Sequence, residues 1–125
     1  MKKIISTSNA PGAIGPYSQA VQYGNMLYTS GQIAIDPASG NLVMDNIQVE
    51  THQVMANLKA VLNAAGMDFK NVVKTSIFLS SMDDFIQVNE VYQSYFESDF
   101  PARETVQVAR LPKSVNVEIS MIAGV

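Results

Sequence analysis

The sequence has 125 residues, no cysteine and a formal net charge of −3. That length suits one domain, residues 1–125, with a core large enough to need no disulfides. Apolar residues make up 47% and charged residues only 15%, which excludes an intrinsically disordered chain.

Along the chain, Lys3–Ser6 reads as a short strand and Asn9–Pro16 as a Gly/Pro-rich loop. Ser18–Tyr23 and Met26–Ile35 form a predicted hairpin around Gly24-Asn25, a turn that tolerates positive φ. Asp36–Gly40 is a second turn cluster. No charged residue occurs from Ile4 to Ile35, a run of 32 positions. Pro11, Gly12, Gly15, Pro16 and Gly24 interrupt that run, so it does not read as a membrane span. Only Ile4-Ile5 follows Lys2-Lys3 before polar residues return, so a secretory signal is not expected either.

The strongest helical pattern runs from Ile47 to Ala65. Ile47, Thr51, Val54, Met55, Leu58, Val61, Leu62 and Ala65 share one face. Asp45 or Asn46 is placed to cap its start, and Gly66 marks its end. Val72–Ser80 reads as a strand with Val73, Ile77 and Leu79 on one side. A second helix is predicted from Asp84 to Phe96, with Phe85, Val88, Tyr92 and Tyr95 on one face. Ser81 and Asp84 are spaced like a capping box, and Pro101 ends the segment. Thr105–Leu111 and Val115–Ala123 are two strands joined by Pro112-Lys113-Ser114.

The order β-β-β-α-β-α-β-β predicts an α+β fold with a mixed six-stranded sheet. Right-handed crossovers place both helices on one face of it. The other face is too apolar for water, which predicts a homo-oligomer.

Few residues could carry chemistry. There are two arginines, Arg103 and Arg110, and one histidine, His52. His52 lies mid-helix, away from the Leu58/Leu62 stripe, and reads as solvated. No spacing of Asp, Glu or His offers a metal site, and absent cysteine removes thiolate ligands and fits a reducing cytoplasm. Gly12-Ala13-Ile14-Gly15 matches a bare GxxG, but Pro16 follows and no basic residue flanks it, so it reads as a loop. The acidic balance gives no electrostatic ground for binding nucleic acid or an anionic membrane. Arg103 shares strand parity with Thr105 and Gln107. If the last two strands pair as a hairpin, Glu118 approaches Arg103 on one face. Such a pair is either a structural ion pair or an anion-binding arginine beside an acid/base carboxylate.

Pro101-Ala102-Arg103-Glu104-Thr105-Val106-Gln107-Val108-Ala109-Arg110-Leu111-Pro112, followed by Val117-Glu118-Ile119, closely resembles the C-terminal signature of the RidA (YjgF) family. Asn9-Ala10-Pro11, Ile14–Ala20, Thr29-Ser30-Gly31-Gln32, Ala64-Ala65-Gly66 and Asp84-Phe85 with Val88-Asn89 agree in order, so the resemblance spans nearly the whole chain. It implies a chorismate-mutase-like fold and a homotrimer with clefts between subunits. It also implies hydrolysis of 2-iminobutanoate and 2-iminopropanoate, products of pyridoxal-phosphate dehydratases, to 2-oxo acids and ammonia without a cofactor. By the same resemblance Arg103 holds the substrate carboxylate, and Glu118 assists the attacking water. Tyr17, Ser30, Gly31, Asn89 and Thr105 line the cleft, Thr105 through its backbone amide. Glu104, an acid next to Arg103, departs from the family pattern and is expected to point away by strand parity. A 2-oxo-acid sensor or chaperone using the same pocket is the alternative, and an RNA-directed ribonuclease or translation inhibitor is a remoter one.

Overall fold

The computed structural model describes residues 1–125 and has six strands and two α-helices in the order β-β-β-α-β-α-β-β. The strands are β1 (Lys2–Ile5), β2 (Ala20–Tyr23), β3 (Met26–Thr29), β4 (Val72–Leu79), β5 (Ala102–Gln107) and β6 (Val117–Gly124). The helices are α1 (Ile47–Ala64) and α2 (Phe85–Gln93). The strands form one mixed sheet in the spatial order β1-β2-β3-β6-β4-β5. Neighbours are antiparallel except β4 and β5, which run parallel because α2 carries the chain from the end of one to the start of the other.

Helix α1 follows its apolar stripe. Val54, Met55, Leu58, Val61 and Leu62 have no exposed surface, and each contributes about 1.5–3 kcal/mol by burial. Asn46 Oδ1 caps the helix, accepting from the Val49 N–H at 2.8 Å. Gly66, at φ +74°, ends it in a Schellman turn: Met67 N–H donates to Leu62 O and Gly66 N–H to Asn63 O. At α2 the expected capping box is replaced. Ser81 Oγ accepts from Asp83 N–H and caps a short 3₁₀ turn, Met82–Asp84, while the Asp84 side chain makes no cap bond. Helix α2 stops at Gln93, short of the expected Phe96.

Other boundaries move for local reasons. Strand β3 ends at Thr29 and not Ile35: the last contacts in its register come from Ser30, whose N–H donates to Gln19 O and whose hydroxyl donates to Ser18 O. Only Gln32, bridging Ile119, rejoins the sheet. The Val72/Lys74 register shift turns Val73 outward, 50% exposed, and puts Val72 in the core, against the expected pairing of Val73 with Ile77 and Leu79.

Two buried polar side chains on α1 were not expected. Asn57 Nδ2 donates to the carbonyls of Ile33 and Ile35 at 3.1 and 2.9 Å, fastening the segment after β3. Glu50 is fully buried, and its carboxylate accepts from Asn116 N–H (2.8 Å), Asn116 Nδ2 (2.8 Å) and Val117 N–H (3.2 Å). It therefore anchors the start of β6. Replacing Glu50 with alanine strands three donors, of which the Val117 N–H is fully buried and the two of Asn116 partly so, and we expect a loss of about 3 kcal/mol. Urea denaturation checks this; a change near zero removes the anchor role.

Helices α1 and α2 cover one sheet face, as expected from the crossovers. That face carries Leu27, Thr75, Ile77, Ile119 and Met121. The opposite face is bare. Ile4, Val21, Tyr28, Ile122, Phe78 and Val106 lie on it, and Ile4, Tyr28 and Val106 keep 53%, 47% and 42% of their surface exposed.

Candidate active site

The Gly/Pro-rich loop before β2 is held by one side chain. Gln19, nearly buried, donates through Nε2 to the carbonyls of Thr7, Ala10 and Pro11 and accepts through Oε1 from Thr7 N–H. The loop and the segment after β3 then wall a cavity of about 610 Å³ lined by Tyr17, Ser30, Gly31, Pro112, Lys113 and Glu118, among others. Glu118 projects from β6 against Gly31. A Cβ on Gly31 would fall 2.8 Å from Glu118 Cδ and 3.0 Å from Cγ and overlap the carboxylate, so any side chain at position 31 must push Glu118 aside. Burial raises the pKa of the Glu118 carboxyl. Tyr17 is half exposed at the wall, and the Ser30 hydroxyl is already committed to Ser18 O. Gly12 and Ile14 of the GxxG run also line this cavity.

Arg103 occupies a second cavity, of about 470 Å³, with Asn89, Tyr92, Gln93, Phe100 and Pro101. Its Nη1 donates to Asn89 Oδ1 at 2.6 Å. Its guanidinium carbon lies 5.2 Å from the Tyr92 ring centroid and 5.7 Å from that of Phe85. Arg103 has no carboxylate partner; the one ion pair in the chain joins Lys74 to Glu104 at 2.9 Å. Glu104 points to the opposite sheet face, as its strand parity implies. Its carboxyl is held below the usual range by Lys74 first and by the Ser76 hydroxyl next. Thr105, one pair of residues along β5 from Arg103, has the only buried side-chain polar atom without a partner, its Oγ1.

The expected hairpin between the last two strands does not form. Strand β4 lies between β5 and β6, because β5 pairs in parallel with the strand its crossover began from. Arg103 pairs with Thr75, which pairs with Met121; Glu118 pairs with Phe78, which pairs with Val106. Strand alternation therefore puts Arg103 on the helix-covered face and Glu118 on the bare face. The two cavities share no residue. One chain brings Tyr17, Ser30, Gly31 and Glu118 together, and separately Arg103 and Asn89, but it does not bring Arg103 to Glu118.

His52 is exposed, and its Nδ1 lies 2.7 Å from the Tyr95 hydroxyl. No three Asp, Glu or His side chains converge as metal ligands. No helix is long and apolar enough to cross a membrane. Sequence reasoning missed Lys113 and Pro112 at the Glu118 cavity, and Phe85 and Tyr92 beside Arg103. Phe85, Asn89 and Tyr92 recur at helical spacing on α2, a signal that reads equally as core packing.

The sequence pattern of the endoribonuclease L-PSP family matches residues 7–125. A curated 2-iminobutanoate/2-iminopropanoate deaminase from Homo sapiens is 51% identical over 123 residues, covering 98% of this chain and 90% of its own. The crystal structure of a conserved Rid family protein from Yersinia pestis superposes with a TM-score of 0.98 at 50% identity over the whole of both chains. E. coli TdcF, solved with bound serine, superposes with a TM-score of 0.94 at 43% identity over 98% of each chain. The chain belongs to the endoribonuclease L-PSP family, the Rid or YjgF proteins.

Proposed function

We propose that this protein hydrolyses 2-imino acids such as 2-iminobutanoate and 2-iminopropanoate to 2-oxo acids and ammonia, in cytoplasmic homotrimers whose sites are shared between neighbouring copies. The observation that carries the reading is Arg103, a guanidinium with no carboxylate of its own chain, set in an open cavity. Relatives at about half identity that bear the deaminase name support the same reaction. The bare apolar face supports association, and the separation of Arg103 from Glu118 supports a site that needs two chains.

A protonated imine is already electrophilic, so this reaction asks for little. Arg103 takes the substrate carboxylate in its planar fork and orients C2. Glu118 accepts a proton from water as the water oxygen bonds to C2, giving a carbinolamine. Glu118 then returns that proton to the nitrogen; as the C–N bond breaks, the re-ionised carboxylate takes the hydroxyl proton, the carbonyl forms, and the departing ammonia carries that proton away as ammonium. Burial raises its pKa, which makes it a better proton acceptor than an ordinary glutamate. Tyr17 and the backbone at Ser30, Gly31 and Thr105 supply uncharged hydrogen bonds around a small acid. Asn89 holds Arg103.

The direct test adds the protein to a pyridoxal-phosphate dehydratase turning over threonine and follows 2-oxobutanoate release. Acceleration is expected. Binding of 2-oxobutanoate without acceleration would favour a sensor, a reading that the bound serine in TdcF makes worth separating. Sedimentation should give three chains per particle; a monomer that is fully active would remove the shared site.

Gly31→Ala offers a finer check. The added methyl displaces the Glu118 carboxylate and leaves Arg103 untouched. The turnover number should fall at least about tenfold while 2-oxobutanoate still binds. Unchanged turnover would place the base elsewhere.

A further inference from the structure

The geometry points to Tyr92 as the positioning residue of the Arg103 clamp, its ring fixing the plane in which the guanidinium meets a carboxylate. This inference rests on Arg103 being the clamp of the proposed reaction.

Arg103 lies on an edge strand and is exposed. An arginine so placed ordinarily keeps much of its rotamer freedom, about 2 kcal/mol, and must lose it on binding an anion. Here α2 removes that freedom beforehand. Phe85, Asn89 and Tyr92 recur along one stripe of the helix and meet the guanidinium with a ring, an amide oxygen and a second ring. Asn89 engages Nη1, which leaves the Nη2–Nε edge for a two-point contact with a planar carboxylate.

Of the two rings, Tyr92 is the fixed one. It is 3% exposed, against a partly exposed Phe85. Its hydroxyl donates to Thr75 Oγ1 at 2.9 Å, and Thr75 is fully buried. Thr75 is also the cross-strand partner of Arg103. Strand pairing, the hydroxyl bond and the ring–guanidinium contact therefore close a three-membered circuit from Arg103 through Thr75 to Tyr92 and back. Rotation of the ring away from the guanidinium would break a buried hydrogen bond.

The test compares wild type, Tyr92→Phe and Tyr92→Leu. Phenylalanine keeps the ring and loses the Thr75 bond; leucine loses the ring. For Tyr92→Leu, KM for the imine and Kd for 2-oxobutanoate should each rise about five- to tenfold, with kcat within about twofold. Tyr92→Phe should stay within about threefold of wild type in both. Equal losses in the two variants, or no loss in Tyr92→Leu, overturn the inference. The wild-type protein supplies a second readout that needs no folded variant. The Arg103 Nε–H proton resonance, assigned by its absence in Arg103→Lys, should be shifted upfield by the ring. A random-coil shift there overturns the inference too. Failure of wild type to hydrolyse imines or bind 2-oxobutanoate is a different outcome: it rejects the proposed function, and with it the clamp that Tyr92 is inferred to position.

Discussion

Arg103→Ala is expected to lower kcat/KM for imine hydrolysis by about 10³-fold, because orientation and the charge-assisted contact with the carboxylate vanish together. Arg103 is exposed and carries no ion pair within the chain, so the variant should fold and assemble normally. Arg103→Lys should lose about 10²-fold: the charge remains, but a point charge cannot make two parallel hydrogen bonds. Coupled kinetics measure the loss, and circular dichroism with sedimentation checks the fold. Full activity in Arg103→Ala would reject the clamp.

Glu118→Gln is expected to lower the turnover number by about 10²- to 10⁴-fold with little change in KM, since glutamine fills the same space and cannot accept the proton. Its effect on stability has the opposite sign. Burial raises the folded-state pKa of Glu118 above the unfolded value. The stability this contributes is complete below the unfolded pKa and is lost as pH rises through the folded one. Wherever the wild-type carboxyl is ionised it holds a charge that burial disfavours, and glutamine does not. Glu118→Gln should therefore melt no lower than wild type at pH 7 and gain relative to it as pH rises from acid. In the wild type, turnover should fall on acidification at a higher pH than an ordinary glutamate would give. An unchanged turnover number would assign the base to another group.

The two variants together make a sharper test. Arg103→Ala keeps Glu118, and Glu118→Gln keeps Arg103. Mixed trimers formed from unfolded, equal portions should regain activity, because some interfaces then carry both intact groups. Random assembly into head-to-tail rings restores about a quarter of the sites. No recovery, in particles shown to contain both variants, would mean that the groups act within one chain.

Much of this fold was legible because its signals are local. The α1 stripe, the Asn46 cap and the Gly66 stop sit within one segment, and each follows from the spacing of a few side chains. Strand pairing is not local. Nothing within β5 or β6 says that β4 lies between them, and that one fact moves Arg103 and Glu118 to opposite faces. The Val73 bulge and the early end of β3 likewise depend on partners distant in sequence. In the candidate site, Arg103 stands out as one of only two arginines in a chain poor in charge. Its setting is hidden, since Phe85 and Tyr92 look like any helical core stripe. The close approach of Gly31 to Glu118 is equally silent until the two are seen together. Glu50 was invisible because a carboxylate is normally a surface residue, and only the three donors of Asn116 and Val117 explain its burial.

The division of one chain between two sheet faces has a consequence for how activity would scale with concentration. If each working site takes Glu118 from one chain and Arg103 from the next, a folded monomer holds two half-sites and no whole one. Specific activity would then fall on dilution toward the dissociation constant of the assembly, with no loss of secondary structure. Newly made chains would fold first and become competent only on meeting others, and two similar chains expressed together would exchange half-sites and create hybrid specificities.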